Sequence, residues 1–257
     1  MTIIGPTSRL ADLVTADPSL ARELERRGLD YCCGGRRTLA DACVTRGLDA
    51  DAVAQELVAA SGWQPVEAWT TMDALQLVDH IEASHHRYLW EELPRLTALM
   101  DKVRGVHGRR HPELQEVARC LEELRADLEP HMLKEERVLF PMIRELATAG
   151  SPPAFACGSI RNPISVMMAE HDRAGELLER LRQLTDEYEP PADACSSYNA
   201  LYVGLAELEA DTHLHIHKEN NVLFPMVEAM EARTTPTEGG EAPCYAQLLD
   251  EDGAVPG

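Results

Sequence analysis

Two segments of the chain carry a histidine and a glutamate in the same register. HMLKEERVLFPMI at 131–143 and HIHKENNVLFPMV at 215–227 align without a gap. On a helix, a spacing of four residues places both side chains on one face. A carboxylate and an imidazole on an apolar face are costly unless they are paired or bind a metal. The repeat therefore predicts a metal site built from His131, Glu135, His215 and Glu219.

Two further histidines extend this set. His171 lies in VMMAEHDRAGELLERL. His86 precedes it by 85 residues, one more than the 84 residues that separate the two aligned segments, and is its counterpart in the repeat. Both histidines are followed by leucine at the seventh and tenth positions after them. His85 is the alternative, because helical periodicity alone does not separate 85 from 86, but the repeat favours His86. Four imidazoles and two carboxylates in one helical core suit a pair of iron or manganese ions. Zinc more readily takes four ligands, often including thiolate.

Two aspartates could support these ligands. Asp127 and Asp211 each precede a ligand histidine by one turn and occupy equivalent positions in the two copies of the repeat. Each could accept the second N–H of that imidazole, although a solvated aspartate is the alternative. The remaining histidines (80, 107, 111, 213 and 217) are interpreted as surface or core residues without a metal role, and the cysteines after position 33 carry no spacing signal.

The segment DYCCGG at 30–35 places Cys32 and Cys33 side by side. A disulfide between neighbours would require a strained ring, so the pair could bind a metal, do redox chemistry or be buried. Gly34 and Gly35 allow the backbone to expose the thiols at a turn. Arg36 and the arginine after it are expected to favour thiolate.

The elements that must position these residues are helices, since strand signals are nearly absent. Four long amphipathic stretches over roughly 73–104, 112–147, 162–188 and 192–232 predict an all-α, up-and-down four-helix bundle. The expected organisation is a small helical module at 1–62, a linker at 63–70, the bundle at 71–232 and a disordered acidic tail at 233–257. Within the module, helices are expected near 8–14, 18–27, 37–46 and 49–60.

Composition restricts the partners and the compartment. The 257 residues carry a formal net charge of −20, which disfavours nucleic acid and anionic membrane surfaces. No apolar run is long enough for a transmembrane helix, and no secretory signal is visible. Seven cysteines without disulfide-like spacing suit a reducing compartment, so the expected location is the cytoplasm.

The pattern H…H-x-x-x-E…H…H-x-x-x-E resembles hemerythrin-type bundles. Together with DYCCGG, it resembles the di-iron iron–sulfur cluster repair proteins (the Repair of Iron Centers, or YtfE/ScdA, family) over nearly all of 7–230. The resemblance implies two non-haem iron ions with an oxo or hydroxo bridge. It also implies repair of iron–sulfur proteins damaged by nitric oxide or oxidants, by donation of iron. The ligands implied are His86, His131, Glu135, His171, His215 and Glu219.

One position departs from the oxygen-carrying hemerythrins, which resemble this chain in the bundle. Their third helix carries a second histidine where this chain has Gly175, so a more open and more labile centre is expected. We expect Cys32 and Cys33 to relay iron or contact the damaged cluster; burial of the pair and dimerisation through the N-terminal module are alternatives. Two other functions compete with repair: reduction of nitric oxide or peroxide, and reversible binding or sensing of oxygen.

Overall fold

The computed structural model describes residues 4–61, 68–149 and 153–234. Within these ranges the regular elements are helices, with two isolated bridges between Arg9 and Thr38 and between Phe155 and Gly158. The predicted all-α class is confirmed. Most of the expected linker at 63–70 and nearly all of the expected tail at 233–257 lie outside the described residues. None of the described helices combines the length and hydropathy that a membrane crossing requires.

Four short helices form the N-terminal module. The side chain of Thr38 caps the third by accepting the N–H of Asp41, and Gly47 ends it in the left-handed conformation at φ 67°. The leucines on the inner faces of these helices are buried together and join the core of the bundle. In chain order the helices are α1 (Leu10–Ala16), α2 (Leu20–Glu25), α3 (Leu39–Arg46) and α4 (Ala50–Ala60).

Four long helices form the bundle, and three of them are interrupted by a single π turn. The first comprises α5 (Ala74–Ile81), a π turn (Glu82–His86) and α6 (Arg87–His107); the second comprises α7 (Leu114–Lys134), a π turn (Glu135–Leu139) and α8 (Phe140–Thr148). The third is α9 (Arg161–Leu184), and the fourth comprises α10 (Ser196–Lys218), a π turn (Glu219–Leu223) and α11 (Phe224–Thr234). The four predicted stretches are confirmed, with ends that differ by a few residues.

The local sequence explains where α5 begins and why π turns precede α8 and α11. Asp73 accepts the N–H of Gln76 at 2.9 Å and the Gln76 side chain accepts the N–H of Asp73 at 3.1 Å, a capping box that starts α5. Pro141 and Pro225 each lie shortly after a π turn, at the second residue of the helix that follows it. Proline lacks the N–H that a regular ladder needs, and a π turn is the kind of local irregularity that accommodates its absence.

Two apolar layers enclose the middle of the bundle. One includes Leu89, Leu128 and Ile216 and continues into the N-terminal module. The other includes Phe140 and Phe224 near the opposite end of the bundle. Along α5–α6, α7–α8, α9 and α10–α11, the predicted metal ligands fall between these layers. The polar centre is therefore sealed above and below by packed apolar side chains.

Candidate metal centre

The structure brings all six predicted metal ligands together in the bundle core, and all six are buried. Their donor atoms form two groups, each with its atoms within 4.8 Å of one another. Both glutamates belong to both groups, as two carboxylates that bridge a pair of metal ions would. One group is His86, Glu135, His215 and Glu219; the other is His131, Glu135, His171 and Glu219.

The imidazole nitrogens converge on the carboxylates. Glu135 Oε2 lies 3.3 Å from the Nε2 atoms of both His86 and His131. Glu219 Oε2 lies 3.1 Å from His171 Nε2, and Glu219 Oε1 lies 3.3 Å from His215 Nε2. These contacts come from four different helices, so the centre ties the whole bundle together.

Several of these donor atoms lack a hydrogen bond. Among the described residues, no hydrogen-bond partner reaches either carboxylate oxygen of Glu135 or Glu219, or the Nε2 atoms of His86 and His215. Polar atoms buried in this way carry a large desolvation cost unless something else satisfies them. Metal ions at the centre would satisfy them together, so the residues present fit a pair of cations.

The charges of the site favour ionised carboxylates. Burial alone would raise the pKa of Glu135, but the adjacent His131 and His86 hold it well below its usual range. Burial and Glu135 also act to raise the pKa of Glu219, yet His215 and His171 bring it to about 2. Conversely, although burial would lower the pKa of His86, Glu135 and Glu136 raise it to about 9. The anionic ligands that a metal requires are thus maintained in an apolar core.

Three of the ligand rings are fixed by side chains that contact their outer nitrogens. Each contact has an acceptor oxygen 2.8–2.9 Å from Nδ1, which orients the ring and leaves Nε2 to face the centre. The pairs are Glu136 with His86, Glu170 with His131 and Asn220 with His171. Trp90 Nε1 donates to Glu136 at 3.0 Å, and Lys134 donates to Glu170, so two of the acceptors are themselves held in place.

The predicted supporting role of Asp127 and Asp211 is wrong. Asp127 accepts a long hydrogen bond of 3.4 Å from Arg173 at the surface, and Glu170 occupies the Nδ1 of His131 instead. Asp211 accepts from His85 Nδ1 at 2.9 Å rather than from the ligand one turn after it. An outer ring nitrogen points away from its own helix, so its partner comes from a neighbouring helix.

His85 lies beside the centre without joining it. Its Nδ1 contacts Asp211, its Nε2 accepts from Lys218 Nζ at 2.7 Å, and its ring stacks on His215 with centroids 5.4 Å apart. Burial lowers the pKa of His85 to about 4, which leaves the ring neutral. The structure thus places His86, and not His85, against the carboxylates.

The duplication extends to these supporting contacts. Glu136 and Asn220, which hold His86 and His171, occupy equivalent positions of the repeat, and each follows a shared glutamate. Lys134 and Lys218 are equivalent in the same way, and they donate to Glu170 and His85 respectively. The two halves of the site are therefore related at these contacts, with Glu170 replaced by His85 as the partner of the lysine. The relation ends at His215, whose Nδ1 has no hydrogen-bond partner among the described residues, whereas the equivalent atom of His131 contacts Glu170.

The two adjacent cysteines lie in a loop held by Asp30. Its carboxylate accepts the N–H groups of Cys32 and Cys33, both at 3.0 Å, and that of Gly34 at 2.7 Å. A Cβ on Gly35 would lie 2.4 Å from the Tyr31 carbonyl oxygen, so only glycine fits there. Cys32 is buried, whereas Cys33 is partly exposed.

This loop packs on the bundle close to the metal centre. Asn221 Nδ2 donates to the Cys32 carbonyl oxygen at 2.9 Å, and Asn221 lies two positions after Glu219. Cys33 faces Gly175, where an added Cβ would lie 3.8 Å from the Cys33 sulfur. A surface cavity of about 380 Å³ is lined by both thiols, Gly175 and His213. The dithiol therefore sits over α9, one turn beyond His171.

The expectation that the following arginines favour a thiolate is wrong for Cys32. The hydrogen bond to Cys33 and burial, together with the carboxylate of Asp30, raise its pKa well above the usual value. The Arg37 guanidinium instead donates to the Asp41 carbonyl oxygen at 2.7 Å. Cys32 is therefore held as a thiol.

Comparison with known proteins places the two parts of the chain in separate family models. Residues 77–227 match the Hemerythrin HHE cation binding domain, and residues 7–61 match the Domain of Unknown function DUF542. The chain is 41% identical over 224 residues to a protein of Enterobacter sp. (strain 638), named iron-sulfur cluster repair protein YtfE. Proteins of the same name from Citrobacter koseri and Escherichia coli are 39% and 38% identical. Each alignment covers 86% of this chain and 97% of the relative.

Proposed function

The chain belongs to the YtfE family of iron–sulfur cluster repair proteins, and from this premise we propose that it restores iron–sulfur clusters damaged by nitric oxide or oxidants. The observation that carries the proposal is the buried set of four imidazoles and two shared carboxylates, most of whose donor atoms lack hydrogen-bond partners among the described residues. A centre of this kind lies beside a dithiol loop on the same helix bundle.

We propose that the resident group is a di-iron centre. One ion would be held by His86 and His215, and the other by His131 and His171, with Glu135 and Glu219 shared by both. This donor set of nitrogen and carboxylate oxygen suits iron or manganese better than a structural zinc ion. When bound, such a centre supplies iron that can leave and coordination positions that small molecules can reach.

The surrounding residues hold the candidate ligand rings in place and leave the position one turn after His171 without a side chain. Glu136, Glu170 and Asn220 fix the tautomers and orientations of three ligand rings. At the position one turn after His171, Gly175 offers no side chain at all, which supports a labile centre from which iron is donated. Apolar layers on both sides exclude bulk water from the ligands.

We propose that Cys32 and Cys33 receive the outgoing iron as cargo. Cys33 faces Gly175 on the helix that carries His171, and the cavity there opens to the surface. Because Cys32 is held as a thiol, it must lose its proton when it binds iron, and the bound cation would favour that loss. The clients are damaged iron–sulfur proteins. The six cysteines among the described residues are unbridged thiols, which supports a reducing compartment such as the cytoplasm.

Two measurements test this function. The first is the iron content of protein purified without added metal, for which about two irons per chain are expected. The second is transfer of that iron to an apo-cluster protein, with Cys32→Ala/Cys33→Ala as the comparison. One zinc or no metal would overturn the centre, and undiminished repair by the double cysteine variant would overturn the relay.

Reduction of nitric oxide is the second candidate, and Gly175 is the observation that favours it. A side chain that could fill a coordination position in the third helix is missing, so a small molecule has room to bind. Turnover with an added electron donor separates the two functions: a reductase supplied with electrons and protons consumes many equivalents of nitric oxide per chain, whereas a repair protein releases its iron stoichiometrically.

A further inference from the structure

A second group of metal-binding side chains lies at the other end of the bundle. α6 runs without interruption from Arg87 to His107, which places His107 about 30 Å from His86. Two residues just before α10 approach His107: Asp193 in the preceding connection and Cys195 at the N-cap of the helix. His111 follows His107 by one helical turn.

The contacts within this group are direct. His107 Nε2 lies 3.2 Å from Cys195 Sγ, and His111 Nε2 lies 2.9 Å from Asp193 Oδ1. One donor atom from each of His107, His111 and Asp193 falls within 4.8 Å of the others. From this arrangement we infer that His107, His111 and Asp193 form a binding site for one divalent transition-metal ion of the zinc class. Cys195 Sγ contacts His107 but does not lie within that distance of all three donors, so its side chain rotates toward the ion to become the fourth ligand.

The chemistry of the donors matches such an ion. Two imidazoles, a carboxylate and a thiolate are all ligands that zinc takes, and structural zinc sites are usually tetrahedral with four protein ligands. One carboxylate and one thiolate balance the charge of a divalent cation. Bond lengths of about 2.0–2.3 Å separate neighbouring donors by roughly 3.3–3.7 Å, so the two short contacts would open slightly while the more distant donors would move inward around the ion.

The surroundings of His111 favour a positive charge, which either a proton on the ring or a metal ion can supply. Its Nδ1 lies 2.9 Å from Glu113 Oε1 while its Nε2 lies 2.9 Å from Asp193 Oδ1, so both nitrogens face carboxylates. A neutral ring donates to only one of them, and the other lone pair then points at an anion unless a proton or a metal lies between. With Nδ1–H donated to Glu113, the Nε2 lone pair is directed into the site, as ligating histidines require.

The scaffold that carries these donors is firm. The buried ring of Tyr198 packs edge-on against both His107 and His111, with centroids 5.2 and 5.6 Å apart. Arg110 holds the second oxygen of Asp193 at 3.1 Å. The connection from α9 contains three consecutive non-glycine residues with positive φ, Asp186, Glu187 and Tyr188. A metal bound here would hold the end of α6 against the start of α10, just after the connection from α9 whose backbone is itself costly.

This site is independent of the di-iron proposal and revises the interpretation of His107 and His111 as residues without a metal role. The sequence signal is a pair of histidines one helical turn apart and, in the connection before α10, an aspartate and a cysteine in D-A-C. The six residues of the bundle centre are predictable because equivalent residues occur in both halves of the repeat. The second group of metal-binding side chains occurs only once among the described residues, so a comparison of the two halves does not reveal it.

Cobalt(II) is the probe for this site, because a thiolate ligand to cobalt gives a charge-transfer absorption. The full chain, as purified with its resident metal, is titrated with cobalt alongside the variants His111→Asn, Asp193→Asn and Cys195→Ser. Asp101→Asn is the matched control, since it removes another exposed carboxylate and lies on α6 itself. Binding at the bundle centre is common to every variant, so differences between variants report this site alone.

We expect the wild type and the control to bind one more cobalt per chain than His111→Asn and Asp193→Asn, or to bind it at least tenfold more tightly. The charge-transfer absorption should disappear in Cys195→Ser. Equal cobalt binding by all variants overturns the proposal. So does an absorption that survives Cys195→Ser and disappears only when Cys32 and Cys33 are replaced by serine, because the thiolate ligands would then lie in the other loop.

Discussion

Asn220 and Asn221 are neighbours on one π turn, yet they serve two different parts of the protein. Asn220 Oδ1 accepts from Nδ1 of the ligand His171 at 2.8 Å, inside the bundle. Asn221 Nδ2 donates to the backbone carbonyl of Cys32 at 2.9 Å, in the N-terminal module. The turn that begins with the candidate ligand Glu219 thus connects the candidate metal centre and the dithiol loop within a single short segment.

Asn220→Ala should weaken iron binding without disturbing the dithiol loop. The variant removes the acceptor that orients His171, and loss of such a contact typically costs about 10–100-fold in metal affinity. Competition with a chelator measures the change. An unchanged affinity would mean that packing alone orients the His171 ring.

Asn221→Ala should disturb the dithiol loop and leave iron binding unchanged, the reverse of what is expected for Asn220→Ala. Iron affinity is expected to stay at the wild-type value, while Cys32, now held less firmly, should react faster with an alkylating reagent. Mass spectrometry of the labelled peptide measures the rate, and Asn220→Ala is the matched control. Equal loss of iron in both variants would show that the turn acts as one unit.

Gly175→Ala should stabilise the protein and slow iron transfer. Alanine is favoured over glycine within a helix by up to about 1 kcal/mol, and the added Cβ meets Cys33 Sγ at an ordinary 3.8 Å. The methyl group would nevertheless stand between the dithiol and α9. Gly105→Ala is the control, because it lies in α6 with nothing within 4 Å of its Cβ position. If both variants are stabilised and both transfer iron normally, the iron does not pass Gly175.

The repeat made the clustering of the six candidate ligands predictable from sequence, because it compares two copies of one arrangement within a single chain. The same alignment places Glu136 opposite Asn220. Because one is a carboxylate and the other an amide, the alignment does not indicate that both contact a histidine ring. Glu170 could not be found in this way: its contact with His131 depends on how α9 is rotated against α7. Asp127 and Asp211 were predicted from their own helices, whereas the outer ring nitrogens face neighbouring ones.

The hydrophobic pattern of the sequence does not predict the three π turns. A period of about 3.6 residues predicts continuous helices through 82–86, 135–139 and 219–223, and one wider turn barely changes the hydrophobic stripe. Pro141 and Pro225 were the available signal, since each removes an N–H from the ladder shortly after such a turn. The four-helix architecture survives because the stripe on either side of each turn still faces the core.

Glu135→Gln and Glu219→Gln should each remove most of the metal. Each glutamate belongs to both donor groups, so one substitution weakens two ion positions at once. A neutral amide also withdraws a charge that the cations need. Elemental analysis after purification measures the loss, with the exposed Glu145→Gln on α8 as the control. Full loading of either buried variant would contradict the assignment of the shared ligands.

The pH dependence of stability should differ between the metal-free and iron-loaded protein. In the metal-free bundle, burial acts to lower the pKa values of His86 and His131, but nearby carboxylates outweigh it and raise them to about 9 and about 10. The unfolded value is about 6.5, so their stabilisation is complete below that pH and is lost as pH rises through 9–10.

At low pH, the buried carboxylates make the stability of the metal-free protein rise with pH instead of fall. Although burial acts to raise the pKa of Glu219, His215 and His171 bring it to about 2. Its stabilisation is therefore present above the unfolded value of about 4.3 and disappears as pH falls toward 2. Burial lowers the pKa values of His85 and His217 to about 4, so these neutral rings cost stability as pH falls from about 6.5 toward 4. The metal-free protein should therefore be most stable near pH 6.5 and weaken from about pH 7 to 10.

Denaturant midpoints at a series of pH values measure this effect. Iron-loaded protein should change little from about pH 7 to 10, because metal-bound imidazoles have no proton to lose on that side. Glu136→Gln is the informative variant: it removes one of the three carboxylates that raise the pKa of His86, so the alkaline loss should begin at lower pH. A metal-free protein that gains stability over that alkaline range would mean that its buried histidines are neutral, and the charge arrangement described for the centre would then be wrong.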